Sequence, residues 1–369
     1  MNTLPGYILA VILPLFFLWL IYRLDFYQTG QFRIIFLAFV WGAIAYFLAG
    51  FFNSWLYNRG IFEWDQIVRF TAPVAEEILK GLFLLYLVSR PQFTYSVDGA
   101  VYGFAAGIGF AIFENFQYIL EHLDVATMLA VQRVFSTNLV HAADSAMIGV
   151  ALGIFRLERS KTRWGIVFLG LSLAIGWHMF FNNMISRGTY LSVAIGAGLT
   201  GALFITLSIR RGLNQAEQWI RDRLGMEDRV TSGEAAMVNR LKNLDEILLP
   251  VVERFGPETA SRVEEFLFIQ ARIGIKRKTT DNLDEKLRRA VNAEIEKMKA
   301  EMDEIRRELG TYVMLFVRGA YPEDVIDVWG QLQDKVKASS EASGGQKGGG
   351  LWSSLDDRVR STSHSNQEE

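Results

Sequence analysis

Six residues able to carry chemistry stand in segments that are otherwise strongly apolar: Glu76, Glu77, Lys80, Glu114, His141 and His178. At bilayer depth an ionisable side chain costs a few kcal/mol or more, so it persists where it pairs, lines a cavity or works. Their types suit acid/base or metal chemistry, and they fall on four successive apolar segments. Lys80 is i,i+4 from Glu76 and i,i+3 from Glu77, so it can pair with either carboxylate. Adjacent Glu76 and Glu77 differ by about 100° around a helix, so only one of them faces a cavity squarely. Phe110 and Glu114 share a helix face, as do His178 and Asn182, and Arg133, Thr137, His141 and Ser145 form a polar stripe at steps of four.

Positioning these groups requires membrane helices. A bilayer core of roughly 30 Å takes about 20 apolar residues as a helix. Seven stretches qualify: Leu4–Tyr22, Ile34–Tyr57, Val68–Val88, Val97–Leu120, Met128–Phe155, Gly165–Ile185 and Tyr190–Ile209. The first lacks a basic leader and a small-residue cleavage motif, so it reads as a retained span. The third contains Pro73 and three charges, and reads as a Pro-kinked span whose polar half faces protein, with a re-entrant segment as the alternative. Gly103/Gly107 and Gly149/Gly153 are i,i+4 pairs that let helices approach closely.

Charge separates two halves. Residues 210–369 hold 26 of the 38 Lys/Arg and 29 of the 40 Asp/Glu, so a membrane half precedes a water-soluble one. With the N-terminus outside, Arg23, Arg33, Arg90, Arg156, Arg159, Lys161 and Arg163 fall in cytoplasmic loops. Arg59, Arg69 and Arg187 then fall outside, with Arg133 an anchor near the outer rim. That is the positive-inside bias, and it places the C-terminus in the cytoplasm. Counting rise per residue, Glu76, Glu77, Glu114, His141 and His178 all come to the outer half of the bilayer. The net charge of −2 and the lack of a long basic block exclude nucleic acid as a partner, and the absence of Cys excludes disulfides and thiolate sites.

AEEILKG (Ala75–Gly81), GFAAGIGFAIFENFQY (Gly103–Tyr118), RVFSTNLVHAADSAMIG (Arg133–Gly149) and GWHMFFNN (Gly176–Asn183) together resemble the PrsW family of intramembrane proteases. That family is more distantly similar to CAAX prenyl endopeptidases and bacteriocin-processing immunity proteins. Its motifs fall on Glu76, Glu77 and Lys80, on Phe110 and Glu114, on His141, and on His178 with Asn182. The resemblance covers roughly residues 35–210. It implies a peptidase acting on a membrane protein substrate within the lipid bilayer, and the family is described both as metal-dependent and as glutamate-type. The same residues suit peptide hydrolysis, which needs an activated water, an oxyanion donor and a proton donor for the leaving amine. Glu76 or Glu77 is the candidate base, and Asn182 or a His the oxyanion donor. Lys80 and Phe110 support them. In the alternative mechanism Glu114, His141 and His178 hold a divalent metal such as zinc.

The fold class that follows is all-α: a polytopic membrane bundle of about seven spans, a soluble helical cytoplasmic domain and a disordered tail. Its divisions are residues 1–211, 212–337 and 338–369. Within the second, Val291, Ile295, Met298, Met302, Ile305 and Leu309 form an apolar seam over Asp281–Leu309, suited to a partner or to self-association. Asp144 pairs with a neighbour on this reading. The rival functions are an ion-coupled transporter, which the odd span count and absence of a visible repeat disfavour, and a non-catalytic protein of the same fold.

Overall fold

The computed structural model describes residues 3–158, 160, 162–186 and 191–319. These include α1 (Leu4–Leu24), α2 (Phe32–Asn58), the short α3 (Trp64–Gln66), α4 (Ala72–Leu87), α5 (Ser96–Glu121), α6 (Ala126–Phe135), α7 (Thr137–Leu157), α8 (Arg163–Ser186) and α9 (Leu191–Arg223). The last four helices are α10 (Ser232–Asn239), α11 (Leu244–Phe255), α12 (Pro257–Thr280) and α13 (Glu285–Gly319). One compact unit runs to Val317; the second, from Arg318, lies almost wholly outside the described residues, as does the tail read as disordered.

Among the described residues, six helical stretches are long and apolar enough to cross a membrane: α1, α2, α5, Leu123–Leu157, α8 and α9. The third segment read from the sequence is not among them, because α4 has only 16 residues. It is lengthened by α3 and a π-helical turn at Ile67–Thr71, giving an unbroken helical run over Trp64–Leu87. The widened turn has a covalent cause. Pro73 has no N–H to give to the carbonyl of Arg69, and its ring clashes with that carbonyl. Side chains of α8 approach the disturbed backbone instead: Asn182 donates to Val68 O at 2.9 Å and Asn183 to Arg69 O at 3.5 Å. The polar half of α4 does face protein. Glu76, Glu77, Lys80, Gly81 and Leu84 are buried, while Ile78, Leu82, Leu85 and Tyr86 are exposed where lipid would lie.

A second irregularity splits the fifth segment. Ser136, with ψ at −86°, breaks α6 from α7, and its hydroxyl donates to Gln132 O at 2.6 Å. The break lets α6 pack against α1 and α5 while α7 enters the core.

Helix α5 is the axis of the bundle, lying between α2 and α7. Small residues allow this. A Cβ on Gly99, Gly103 or Gly107 would overlap the carbonyls of Gly149, Ser145 or His141 on α7, and one on Gly109 would overlap that of Phe39 on α2. Along α2 the buried positions are Ile35, Ala38, Gly42, Ala45, Ala49, Asn53 and Leu56, at helical spacing, while Phe36, Phe47 and Phe51 face outward. Small residues inside and large apolar ones outside is the pattern of a helix whose solvent is lipid.

Beyond the membrane, α9 continues to Arg223 and the remaining helices fold back onto the loops at the far end of α4 and α7. Asn282 Nδ2 donates to Leu157 O at 2.6 Å, Lys276 Nζ to Pro91 O at 3.0 Å, and Gln92 Nε2 to Glu294 Oε1 at 3.3 Å. Phe26 packs edge-on against Phe268 and Tyr95 against Trp219. The seam on α13 is buried at Val291, Ile295, Met302, Ile305 and Leu309 and half-buried at Met298. Beneath these contacts sits a polar knot not anticipated from the sequence. The Thr29 hydroxyl lies 2.5 Å from Asp98 Oδ1 and 3.3 Å from Asp25 Oδ1, Gly30 N–H donates to Asp25 Oδ2 at 2.7 Å, and Thr94 N–H to Asp98 Oδ2 at 2.6 Å. Burial, and secondarily the neighbouring Asp98 charge, push the Asp25 carboxyl up to about 7.

Candidate active site

Four helices deliver the site. Helix α4 supplies Glu76, Glu77 and Lys80, α5 supplies Phe110 and Glu114, α7 supplies His141 and Asp144, and α8 supplies His178. All are buried except Glu114, whose side chain is partly open. The two imidazoles stand edge to face with centroids 4.7 Å apart. Every ionisable residue singled out by type and spacing therefore belongs to one cluster.

Lys80 is its inner anchor. Its ammonium donates to Glu77 Oε1 at 2.6 Å, lies 3.2 Å from His141 Nδ1, and sits 4.7 Å above the Phe110 ring. Of the two candidate partners, Glu77 is the one it takes. His178 Nδ1 lies 2.8 Å from the same Glu77 oxygen, which assigns the proton to Nδ1 and turns Nε2 toward Glu76, 3.8 Å from its Oε2. His141 is oriented likewise, with Nε2 2.9 Å from Glu114 Oε2. Carboxylate-to-imidazole contacts of this kind fix the tautomer and raise the basicity of a histidine ligand.

Arg133 departs from the rim-anchor reading. It is buried, donates to Glu114 Oε2 at 2.6 Å and Asn115 Oδ1 at 2.8 Å, and its guanidinium lies over the Tyr118 ring. Helix α6, short and separated by the Ser136 break, brings it there; a single continuous span hides that from the sequence. Asp144 departs too. It is completely buried, its Oδ2 lies 3.8 Å from His178 Nδ1, and neither carboxylate oxygen has a hydrogen-bond partner. Asn182 stands on the cavity wall with its amide N–H given to Val68 O.

A cavity of about 290 Å³ opens onto the cluster, lined by Glu76, Glu114, Arg133, Thr137, Phe110 and Asn182 among others. Glu77 does not line it. The 100° between the two neighbouring glutamates thus divides their roles: Glu76 meets the cavity and Glu77 meets Lys80 and His178.

One carboxylate oxygen of Glu76 and one ring nitrogen each of His141 and His178 satisfy the spacing of a metal site, these ligand atoms lying within 4.8 Å of one another. Glu76 takes the place expected for Glu114, which instead holds His141 and Arg133. Two imidazoles and a carboxylate suit a divalent cation such as zinc. Two further observations agree. Glu76 Oε2 is buried without a partner, and the four carboxylates Glu76, Glu77, Glu114 and Asp144 face only two permanent cations, Lys80 and Arg133. With neutral histidines the cluster carries a formal charge of −2, which one divalent cation balances.

Residues 30–209 match the family described as PrsW family intramembrane metalloprotease. This part of the chain belongs to the PrsW family. The chain is 27% identical over 178 residues to Protease PrsW of Bacillus subtilis (strain 168), covering 46% of this chain and 78% of that protein. It is 26% identical over 127 residues to Protease PrsW of Clostridioides difficile (strain 630), covering 34% and 53%. No solved structure matches. Residues 30–209 are thus similar to membrane peptidases of the PrsW family, and the apolar helices fit a multi-pass membrane protein.

Proposed function

We propose that the protein is an intramembrane endopeptidase that cuts a membrane-embedded or membrane-proximal protein near the outer face of the bilayer, with its centre at Glu76, His141 and His178. The observation that carries this reading is the convergence of four helices on one negatively charged cluster at the wall of a cavity. Glu76, His141 and His178 would hold the divalent cation, which when bound acidifies water and polarises a carbonyl. Glu77 holds His178 through Nδ1, and Glu114 holds His141 through Nε2, so His141 would offer the cation Nδ1, the nitrogen that faces Lys80 in this structure. Lys80 neutralises Glu77 so that His178 is not drawn away from Glu76. Arg133, on the cavity wall, is the donor best placed for a developing oxyanion, since the Asn182 amide is committed to backbone. Glu114, also on the wall and paired with Arg133 and His141, is placed to take a proton from the attacking water and pass it to the leaving amine.

Purified protein incubated with single-span membrane proteins, with fragments identified by mass spectrometry, tests this. Cleavage by the native chain and none by Glu76→Gln is the expected result; equal cleavage by both would overturn the assignment. The soluble residues 212–337 we assign to regulation or substrate choice, because no cluster residue lies beyond His178. A chain ending at Gly212 that inserts normally should still cut in the same assay, and failure to cut would place chemistry in the second half.

The N-terminus is proposed to lie outside and residues 212–337 in the cytoplasm, on the loop charges. Since Cys is absent, a single Cys at Asn58 should react with a membrane-impermeant maleimide in intact cells and one at Ser160 should not. The reverse labelling would invert the topology.

A further inference from the structure

Asp144 is unexplained by the site as described. It is fully buried on α7, and both of its oxygens lack a partner. A carboxylate removed from water is normally compensated by a hydrogen bond, an ion pair or a metal. The other carboxylates of the cluster each have a role: Glu77 holds Lys80 and His178, Glu114 holds Arg133 and His141, and Glu76 meets the cavity. Yet Glu77 also keeps one oxygen, Oε2, buried and unpartnered. Ligand atoms of Glu77, Asp144 and His178 lie within 4.8 Å of one another, and all three residues are at most 2% exposed.

We propose that Glu77, Asp144 and His178 form a second, inner seat for a divalent cation, and that it is filled in alternation with the outer seat at Glu76, His141 and His178. The inference rests on the metal reading of the outer seat. Three features carry it. Three of the cluster's four unpartnered carboxylate oxygens, Glu77 Oε2 and both of Asp144, belong to the inner set and are buried. The two seats share His178, whose Nε2 faces Glu76 and whose Nδ1 faces Glu77 and Asp144. A cation in the inner seat would replace the hydrogen bond between Nδ1 and Glu77.

Alternation follows from charge. The cluster as a whole carries −2, so one divalent cation leaves it neutral in either seat, whereas two would leave an excess of +2 in a low-dielectric interior. The inner set does not line the cavity, so a cation there is out of reach of substrate. The inner seat is thus a parking position, and its chemistry, two carboxylates and one imidazole, suits a borderline divalent ion such as zinc, cobalt or manganese.

Elemental analysis of full-length protein purified with zinc, together with the visible absorption of cobalt-loaded samples, tests the proposal. Native protein and the variants Glu76→Gln, Asp144→Asn and Glu76→Gln/Asp144→Asn are compared. The expected result is one metal per native chain, one retained in each single variant, and none in the double variant. The cobalt spectra of the two single variants should differ, because one reads a one-imidazole and the other a two-imidazole set. Asp144→Glu, which keeps a carboxylate, should restore metal to the Glu76→Gln background, so that loss in the double variant is not mistaken for misfolding. Loss of metal in Glu76→Gln alone overturns the inner seat and leaves the outer one standing. Two metals in the native chain overturn alternation. No metal in the native chain removes the metal reading itself, and the inner seat with it.

Discussion

Two of the buried acidic clusters among the described residues are built by opposite rules. At the junction of the two halves, Asp25 and Asp98 share one Thr29 hydroxyl, and each of their four oxygens has a donor within hydrogen-bond range. In the membrane cluster, Glu76, Glu77 and Asp144 keep four buried oxygens with no partner. Both clusters are protected from water and both are costly to assemble. The first spends its polar groups on one another and so holds a loop against α5 and the appendage. The second leaves them unpartnered, with Glu76 on a cavity wall and Glu77 and Asp144 beside one shared histidine. Unsatisfied carboxylate oxygens, rather than buried carboxylates alone, are what separate the candidate site from the clasp.

The sharpest way to break this comparison is to neutralise one residue of the open cluster. Glu76→Gln or His178→Ala should lower cleavage by roughly a hundredfold or more, with thermal unfolding little changed. Exhaustive chelation should do the same to the native chain, and added zinc should reverse it. A fully active Glu76→Gln variant, or activity that survives chelation with no bound metal, would end the metal reading.

The closed cluster should respond the other way. Thr29→Val removes the one hydroxyl that lies between the two aspartates, and leaving a buried acceptor unpaired costs about 1–3 kcal/mol. The unfolding midpoint should fall while the cleavage rate per folded molecule stays the same; a lost rate with an unchanged midpoint would make this cluster part of the chemistry.

The smallest effect separates the two by pH. The Asp25 carboxyl titrates near 7 in the fold, against about 3.8 when exposed. Between those values the folded chain holds a proton that the unfolded chain has released, so stability is greatest at the acid end and declines as pH rises toward 7. Asp25→Asn should flatten that slope and raise the midpoint at pH 8 relative to the native chain. An unchanged slope would mean that the proton resides elsewhere in the knot.

How much of this was legible in the sequence follows the same division. Glu76, Glu77, Lys80, Glu114, His141 and His178 stood out because charge against an apolar background is loud, and all six meet in space. The small-residue pairs on α5 and α7 were legible for a related reason, as spacing alone reports close approach. Asp25 and Asp98 were silent because they sit at helix ends, where acidic residues are ordinary. Arg133 was misplaced because nothing local announces the Ser136 break, which is a compromise between the packing of α6 and that of α7. The shortness of α4 was equally hidden. Pro73 signalled a disturbance but not that the chain would answer with a widened turn held by asparagines more than 100 residues away. The exchange of Glu114 for Glu76 in the donor set turned on side-chain reach, which spacing does not encode.

The seam between α5 and α7 has a further consequence. Because Gly99, Gly103 and Gly107 lay α5 directly on the backbone of α7, the gap between Glu114 on one helix and His141 on the other is fixed by atoms the chain lacks. Distance here works as a machined tolerance: a single methyl group, uncharged and remote from any proton, is thicker than the clearance available. The chemistry of the site is therefore as exposed to carbon as to charge.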